Sequence, residues 1–324
     1  MSDFTDLVAA VVGATLRIST PLVFAALAAL FSERAGVIDI GLEGKVLAAG
    51  FTAASLGAIG APWALALAGA VAVALTLSLL HGFACITHRG DQIVSGVAVN
   101  LIAAGMTAVL GLAWFHRSGR TPEVVDAARI GELFPQTAAA VRGWPGVGML
   151  IGTGVLRQDA LVWLSFVCIA GTWWVLYRTR FGLRLRAVGE NPATVDAAGL
   201  SVAALRYRAT MISGVLCGLA GVHLALALNA SFTPNMTAGR GFMALAAMVF
   251  GKWHPFGALR ACLLFGFLDA VAIHLQGASV PGIGKVPVEL IQALPYLLTV
   301  VLLAGLLGRA DAPAAIGRPY VKER

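Results

Sequence analysis

The chain has 324 residues, of which 59% are apolar or aromatic and only 12% are charged. Soluble domains carry about 25% charged residues and about 45–50% apolar ones, so a mean hydropathy of +0.85 excludes a cytosolic globular enzyme. A membrane helix needs about 20 apolar residues. The composition therefore predicts an all-α polytopic membrane protein with about eight to ten transmembrane helices.

The formal net charge is +7, and the arginines that produce it stand in loops between apolar runs. Cationic loops orient membrane helices, so we interpret this charge as topological and expect no nucleic-acid partner. The four cysteines all lie inside apolar stretches, without a CxxC pair or a histidine at metal spacing. They are predicted to be buried, with no disulfide and no metal site.

The N-terminal half contains four apolar runs, which predict membrane spans near 8–31, 35–60, 62–86 and 92–115. The stretch 116–158 follows, rich in glycine, proline and charges of both signs. Turn residues with mixed charge indicate a solvent-side segment. We predict that it is an extracytoplasmic loop.

The C-terminal half has its topological anchor at 178–208, where six arginines are concentrated. By the positive-inside rule this segment is predicted to be a cytoplasmic loop, and the basic tail after 308 should lie on the same side. The apolar runs at 160–177, 209–230 and 288–308 each predict one further span. The run at 241–276 predicts two, because it is broken near 251–255. The total is about nine spans, with the N-terminus outside.

The first break in this pattern lies near 35–45, where glycines and charges lead directly into an apolar run. Charges at membrane depth are costly unless they pair or face water. Asp39 and Glu43 are four residues apart, which would put both carboxylates on one helical face. The segment is either a surface hairpin with an ordinary salt bridge or, as we expect, an interrupted helix lining a transport path.

The second break lies near 241–255 and begins with Phe242 and Met243. Its apolar piece would rise only about 16 Å, half a bilayer. Interrupted segments in both halves of a transporter are the best sequence indication of a substrate site. Phe242 and Met243 are therefore predicted to lie on the path.

Polar side chains also occur inside the fourth predicted span, at Gln92, Ser95 and Asn100. Such groups either bond a neighbouring helix or face a ligand, and the sequence leaves both alternatives open. With Asp39 and Glu43 they complete the predicted substrate path. No Gly-x-x-x-x-Gly-Lys-Ser/Thr motif, Ser-His-Asp arrangement or metal motif accompanies them, so the chain is predicted not to be an enzyme.

Four segments carry a further signal: 32–44 (SERAGVIDIGLEG), 92–100 (QIVSGVAVN), 179–192 (TRFGLRLRAVGENP) and 241–251 (GFMALAAMVFG). They resemble motifs of ABC importer permeases of the branched-chain amino acid, ribose and nucleoside family, nearest to the nucleoside or simple-sugar branch. The resemblance implies a permease that forms the path for a small polar solute. A secondary transporter or channel is the alternative.

The resemblance also implies how the chain is assembled. Residues 1–324 would form one permease domain in the bacterial inner membrane, beside a homologous permease and membrane lipid and with the C-terminus cytoplasmic. An extracytoplasmic solute-binding protein would deliver the solute, and a cytoplasmic ATP-binding cassette subunit would use ATP, so this chain itself would bind no cofactor.

The contact with that ATPase is predicted within 178–208, in a short coupling helix. Asn191 is a suitable helix cap, Pro192 suits the first helical position and Gly199 suits the end. Gly189 is predicted to allow a turn before the helix, and Glu190 to favour its positive end. The cation Arg186 completes the predicted coupling residues.

Overall fold

The computed structural model describes residues 2–144, 147–275, 279–280, 284–285, 293, 297 and 311–322. Its α-helices are α1 (Ser2–Arg34), α2 (Leu42–Ala58), α3 (Trp63–Gly82), α4 (Gln92–Phe115), α5 (Pro135–Arg142), α6 (Ala160–Arg178), α7 (Arg180–Glu190), α8 (Pro192–Ala197), α9 (Val202–Val222), α10 (Arg240–Phe250) and α11 (Pro255–Leu275). Shorter helical segments are the π-helical Phe83–Thr87, Leu150–Leu156 and His223–Leu228 and the 3-10 helix Asp126–Ala128. Strands β1 (Ser279–Val280) and β2 (Gly284–Lys285) pair antiparallel.

Six helical segments among the described residues are long and apolar enough to cross a membrane: Thr5–Arg34, Trp63–Thr87, Gln92–Phe115, Ala160–Arg178, Val202–Leu228 and Pro255–His274. They confirm the predicted all-α polytopic membrane protein. Two further apolar helices, α2 with 17 residues and α10 with 11, are shorter. The span predicted at 288–308 lies outside the described residues.

Helix α1 is the centre of the fold. Residues 22–31 are all buried, and α1 packs against α6, α9, α10 and α11. Helix α2 is buried along most of its length between α3, α4 and α9. A Cβ added at Gly221 of α9 would stand 2.6 Å from the amide nitrogen of Gly50, so small residues allow α2 and α9 to approach closely.

The segment predicted as a loop at 178–208 is mostly helical. It contains α7, α8 and the start of α9. The hydroxyl of Thr179 accepts a hydrogen bond from the Gly182 amide and so caps α7, and Leu185 and Val188 are buried while Arg184 is exposed. The sequence predicts the short helix at α8 but not α7, because the arginine content hides the amphipathic pattern of α7.

The described part of the C-terminal tail, residues 311–322, packs against this helical segment. The Ala315 amide donates a 2.8 Å hydrogen bond to the Gly189 carbonyl, and Lys322 lies 3.3 Å from Asp196 of α8. The tail and the segment 178–208 therefore lie at the same end of the helices, as the charge pattern predicts.

Candidate functional site

The break after α1 confirms the first predicted interruption. Residues 35–41 are not helical although they lie inside the protein, and most of them are buried. Backbone groups buried without helical partners must find others. Here the side chain of Gln92 accepts a 2.6 Å hydrogen bond from the Ile38 amide, and the ring of His81 donates one of 3.0 Å to the Ile38 carbonyl.

Asn100 binds the other end of the same break. Its amide nitrogen donates to the Ile40 carbonyl at 3.1 Å, and its oxygen accepts from the Gly44 amide in the first turn of α2 at 2.7 Å. Ser95 lies 3.0 Å from His81 and orients that ring. Of the two alternatives for the polar residues of α4, the structure favours contact with a neighbouring segment. Their place on a substrate path stays a prediction.

Asp39 and Lys45 form a fully buried ion pair with a Nζ–Oδ2 distance of 2.6 Å. The hydroxyl of Ser213 on α9 donates a second hydrogen bond to the same carboxylate oxygen at 3.0 Å. Asp39 precedes α2, so the expected shared helical face with Glu43 does not exist. That prediction was wrong because Gly41 and its neighbours postpone the start of the helix.

Glu43 connects the two interrupted segments. Its Oε1 accepts a 2.8 Å hydrogen bond from the Gly239 amide and its Oε2 accepts one of 2.6 Å from the Gly241 amide. Both amides belong to the start of α10, which has no side-chain cap of its own. A carboxylate at a helix N-terminus is stabilised by the exposed amides and by the helix dipole.

Helices α2 and α10 begin at this point and run in opposite directions. Gly57, near the end of α2, lies against Val124 and Leu226 at one end of the protein. Beyond the end of α10, Trp253 lies against Glu33 and the last turn of α1. The N-termini of two short helices therefore meet in the interior with one carboxylate between them, and we call this site the α2–α10 junction.

The break between α10 and α11 confirms the second predicted interruption. Lys252 and Trp253 both have positive φ angles, of 54° and 50°, which is a strained backbone for side-chain-bearing residues. Glu33 accepts a 2.8 Å hydrogen bond from the Trp253 indole, and Arg34 donates two to the Trp253 carbonyl. Burial, together with the charges of Arg34 and Arg260, lowers the pKa of His254 beside them.

The residues that flank the first break thus hold both ends of α10. Glu33 and Arg34 precede the break and bind beyond the C-terminus of α10, whereas Glu43 follows it and binds the N-terminus. Displacement of the first break should therefore move α10 with it. Sequence reasoning missed the pairing of Glu33 with Trp253, since no pattern relates residues 220 positions apart.

The predicted path residues on α10 differ in exposure. Phe242 is 48% exposed, whereas Met243 packs against the buried core. A separate apolar cavity of about 690 Å³ lies between α2, α3 and α4, with Phe51, Ser55 and Trp114 in its wall. Within the described part of the chain, none of the predicted path residues lines this cavity.

The predicted coupling helix is present as α8. The Asn191 side chain accepts hydrogen bonds from the Ala193 and Thr194 amides, and Pro192 is the first helical residue. Gly199 has a φ angle of +78° just beyond the helix. Ala193, Thr194 and Ala197 are exposed, so α8 presents a small, uncharged surface.

Other predicted coupling residues have packing roles. Gly189 lies inside α7 and is buried, and an added Cβ would stand 2.2 Å from the Arg34 carbonyl oxygen, so it serves close packing and the expected turn is absent. The oxygen of Glu190 accepts a 3.3 Å hydrogen bond from the Ala314 amide of the tail. Arg186 donates to the Leu176 carbonyl and stacks over the Tyr177 ring.

Comparison with protein families gives one match over most of the chain. The model of the family described as branched-chain amino acid transport system / permease component matches residues 11–303. The matched region includes α1 to α11 apart from the first residues of α1, and hence both breaks and the α2–α10 junction.

Individual relatives align over nearly the full chain. The guanosine ABC transporter permease protein NupQ of Bacillus subtilis is 39% identical, with 99% of each chain covered. The nucleoside ABC transporter permease protein NupC of Lactococcus lactis is 38% identical, with 97% of each covered. A putative glucose ABC transporter permease protein, TsgC13 of Haloferax volcanii, is 31% identical over 97% of this chain and 98% of that protein.

Proposed function

The chain belongs to the branched-chain amino acid transport system permease family, and from this premise we propose that it is the membrane subunit of an ATP-driven importer of nucleosides. As an ABC transporter permease it is a multi-pass membrane protein and is not itself an ATPase. ATP would be hydrolysed by a separate cytoplasmic subunit. This chain would contribute the path for the solute.

Nucleosides are the favoured solute because two relatives that align over almost their whole length are named for guanosine and nucleoside transport. A simple sugar is the second candidate, supported by the relative named for glucose at lower identity. A secondary transporter or channel has less support, because it would need its own coupling site. Two of the buried acids are already engaged, Asp39 with Lys45 and Glu43 with α10.

The α2–α10 junction is the observation that supports a transport path most directly. Half-length helices whose ends meet inside the membrane form substrate sites in several transporter classes. At this junction the N-terminus of α10 points toward the Glu43 carboxylate, which already fills the position an anionic ligand would take. This arrangement favours an uncharged solute such as a nucleoside.

We expect coupling to the ATPase at α8. This helix is capped by Asn191, lies within the arginine-rich segment 178–208 and exposes small residues. By the positive-inside rule we expect this end, and the C-terminal tail with it, to face the cytoplasm. The complete transporter would include an extracytoplasmic binding protein, membrane lipid around the spans, and either a second copy or a homologous permease.

The test is uptake by the complete complex reconstituted in proteoliposomes. We expect ATP-dependent accumulation of labelled guanosine, reduced by an excess of unlabelled nucleosides and unaffected by the same excess of ribose or glucose. Competition by the sugars instead would favour the second candidate. Uptake that persists without ATP would contradict an ATP-driven permease.

Contact at α8 can be tested in the same complex. A cysteine in place of Thr194, which is exposed on α8, should cross-link to the ATPase subunit. A cysteine in place of Gly131, which is exposed in the segment predicted to be extracytoplasmic, should not. Equal cross-linking at both positions would contradict the proposed docking side.

A further inference from the structure

The C-terminal tail lies between the coupling helix α8 and the break after α1. The Ala315 amide donates a 2.8 Å hydrogen bond to the Gly189 carbonyl of α7, and the Gly317 amide donates one of 3.2 Å to the Gly36 carbonyl of the break. Pro313 and Ala315 are buried in this position. The tail is therefore packed into the protein as a structural element.

Arg206 joins the tail to the break from the other side. It is only 2% exposed, although it stands near the start of α9 in the arginine-rich segment. Its Nε donates to the Ala35 carbonyl at 3.2 Å and its Nη1 to the Arg318 carbonyl at 3.0 Å. A guanidinium is suited to such a bridge because its donors diverge in a rigid fork.

The far end of the tail binds α8 itself. The Tyr320 hydroxyl donates a 3.0 Å hydrogen bond to Asp196 Oδ2, and Lys322 lies 3.3 Å from Asp196 Oδ1. The Ala314 amide also donates to Glu190, next to the cap of α8. The tail thus contacts the last turn of α8, the residue of α7 that precedes the cap of α8, and the break.

We propose that residues 311–322 are a strut that transmits movement of α8 to the break after α1 and, through Glu33, Arg34 and Glu43, to α10. This proposal rests on the proposed function in that it takes α8 as the contact with the ATPase. Coupling between sites requires an element with differential contacts in the two states. The tail forms hydrogen bonds both with α8 and with the break after α1. Arg206 is the residue that positions the tail at the break.

Truncation after residue 310 tests the strut in the complete transporter. We expect the truncated chain to assemble with its partners and to keep the cross-link from Thr194→Cys to the ATPase. The ratio of solute transported to ATP hydrolysed should fall at least tenfold. A merely structural role would lower the amount of complex and leave this ratio unchanged, which would overturn the proposal. Loss of the cross-link would also overturn it, because the tail would then belong to the docking surface.

A second readout does not depend on the identity of the solute. A cysteine in place of Ile40, which is partly exposed in the break, should change its labelling rate on addition of ATP in the full-length complex. The truncated chain should lose this change. Absence of nucleoside uptake by the full-length complex would count against the proposed function alone, whereas an ATP response that survives truncation would count against the strut alone.

Point variants keep the test decisive if truncation prevents folding. Gly317 has a φ angle of +73°, which strains a β-branched residue, and an added Cβ would stand 2.9 Å from the end of the Ile38 side chain, so Gly317→Val should weaken the contact of the tail with the break. Gly60 has a φ angle of +88° with nothing within 4 Å, so Gly60→Val imposes comparable backbone strain without that contact. Only Gly317→Val should lower the coupling ratio. Equal ratios in both variants would overturn the strut.

Discussion

Glu43 and Gly241 are 198 residues apart in the chain, yet the carboxylate of Glu43 accepts a 2.6 Å hydrogen bond from the Gly241 amide. An added Cβ at Gly241 would stand 2.5 Å from the Glu43 amide nitrogen, so only glycine permits this approach. The contact joins the N-termini of α2 and α10. It makes the two interrupted segments one unit, which neither segment shows by itself.

Breaking the buried ion pair should destabilise the protein strongly. Lys45→Met leaves the Asp39 carboxylate fully buried without its counter-ion, a change that costs about 3–5 kcal/mol for buried pairs. The double variant Asp39→Asn with Lys45→Met should recover much of that loss, because no uncompensated charge remains. The measurement is the apparent melting temperature in detergent, and equal losses in single and double variants would contradict a paired role.

Asn100→Leu should lower the amount of folded protein more than it lowers the transport rate of each folded molecule. The substitution leaves the Gly44 amide and the Ile40 carbonyl without partners, and each unsatisfied buried group costs about 1–3 kcal/mol. We expect less protein in the membrane and a lower melting temperature. Ser95→Ala, which removes the side-chain contacts to His81 and Cys85 and leaves no backbone group of the break unpaired, should have a smaller effect. A stable Asn100→Leu chain that fails to transport would instead assign Asn100 to the path.

Gly189→Ala should weaken the contact between α7 and α1. The new methyl group would stand 2.2 Å from the Arg34 carbonyl oxygen, so the helices must separate. Gly171→Ala on α6 is the matched control, since nothing lies within 4 Å of its added Cβ. Reduced assembly should appear for Gly189→Ala only, as measured by the yield of complex. Comparable yields would show that α7 can shift without consequence.

Labelling should place the two ends of the helices on opposite sides of the membrane. In a chain without its native cysteines, Arg184→Cys, at an exposed position of α7, should react with an impermeant reagent only from the cytoplasm. Glu123→Cys, exposed in the stretch 116–158, should react only from outside. Reaction of both from one face would contradict the topology inferred from the arginines.

Local pattern predicted the helical class, both breaks and the cap of α8. These features depend on neighbouring residues, such as Asn191 before Pro192, whose local chemistry is readable in sequence. The contacts within the site depend on distant residues. Asp39 pairs with Lys45 and Ser213, and Glu43 binds α10, because tertiary packing brings three helices together.

Composition gave wrong predictions for residues whose role depends on packing. Arg206 is one of the six arginines from which the sequence predicts a loop, yet it is buried and donates to two carbonyls. Gly189 lies inside a helix, where the sequence predicts a turn. A single sequence does not distinguish an arginine that orients a helix from one that bridges two segments. In both roles the residue is an arginine in a segment of the same positive charge.

Uptake by the Glu43→Gln transporter, expressed per assembled complex, tests the central claim most directly. The amide keeps one acceptor oxygen, but its other terminal atom becomes a donor facing the amides at the start of α10, so the junction should loosen. We predict that ATP-dependent nucleoside uptake falls at least tenfold while assembly and basal ATPase activity persist. Glu132→Gln, which alters a carboxylate paired with Arg157 away from the junction, should transport normally. Unchanged uptake by Glu43→Gln would contradict a role of the α2–α10 junction in translocation.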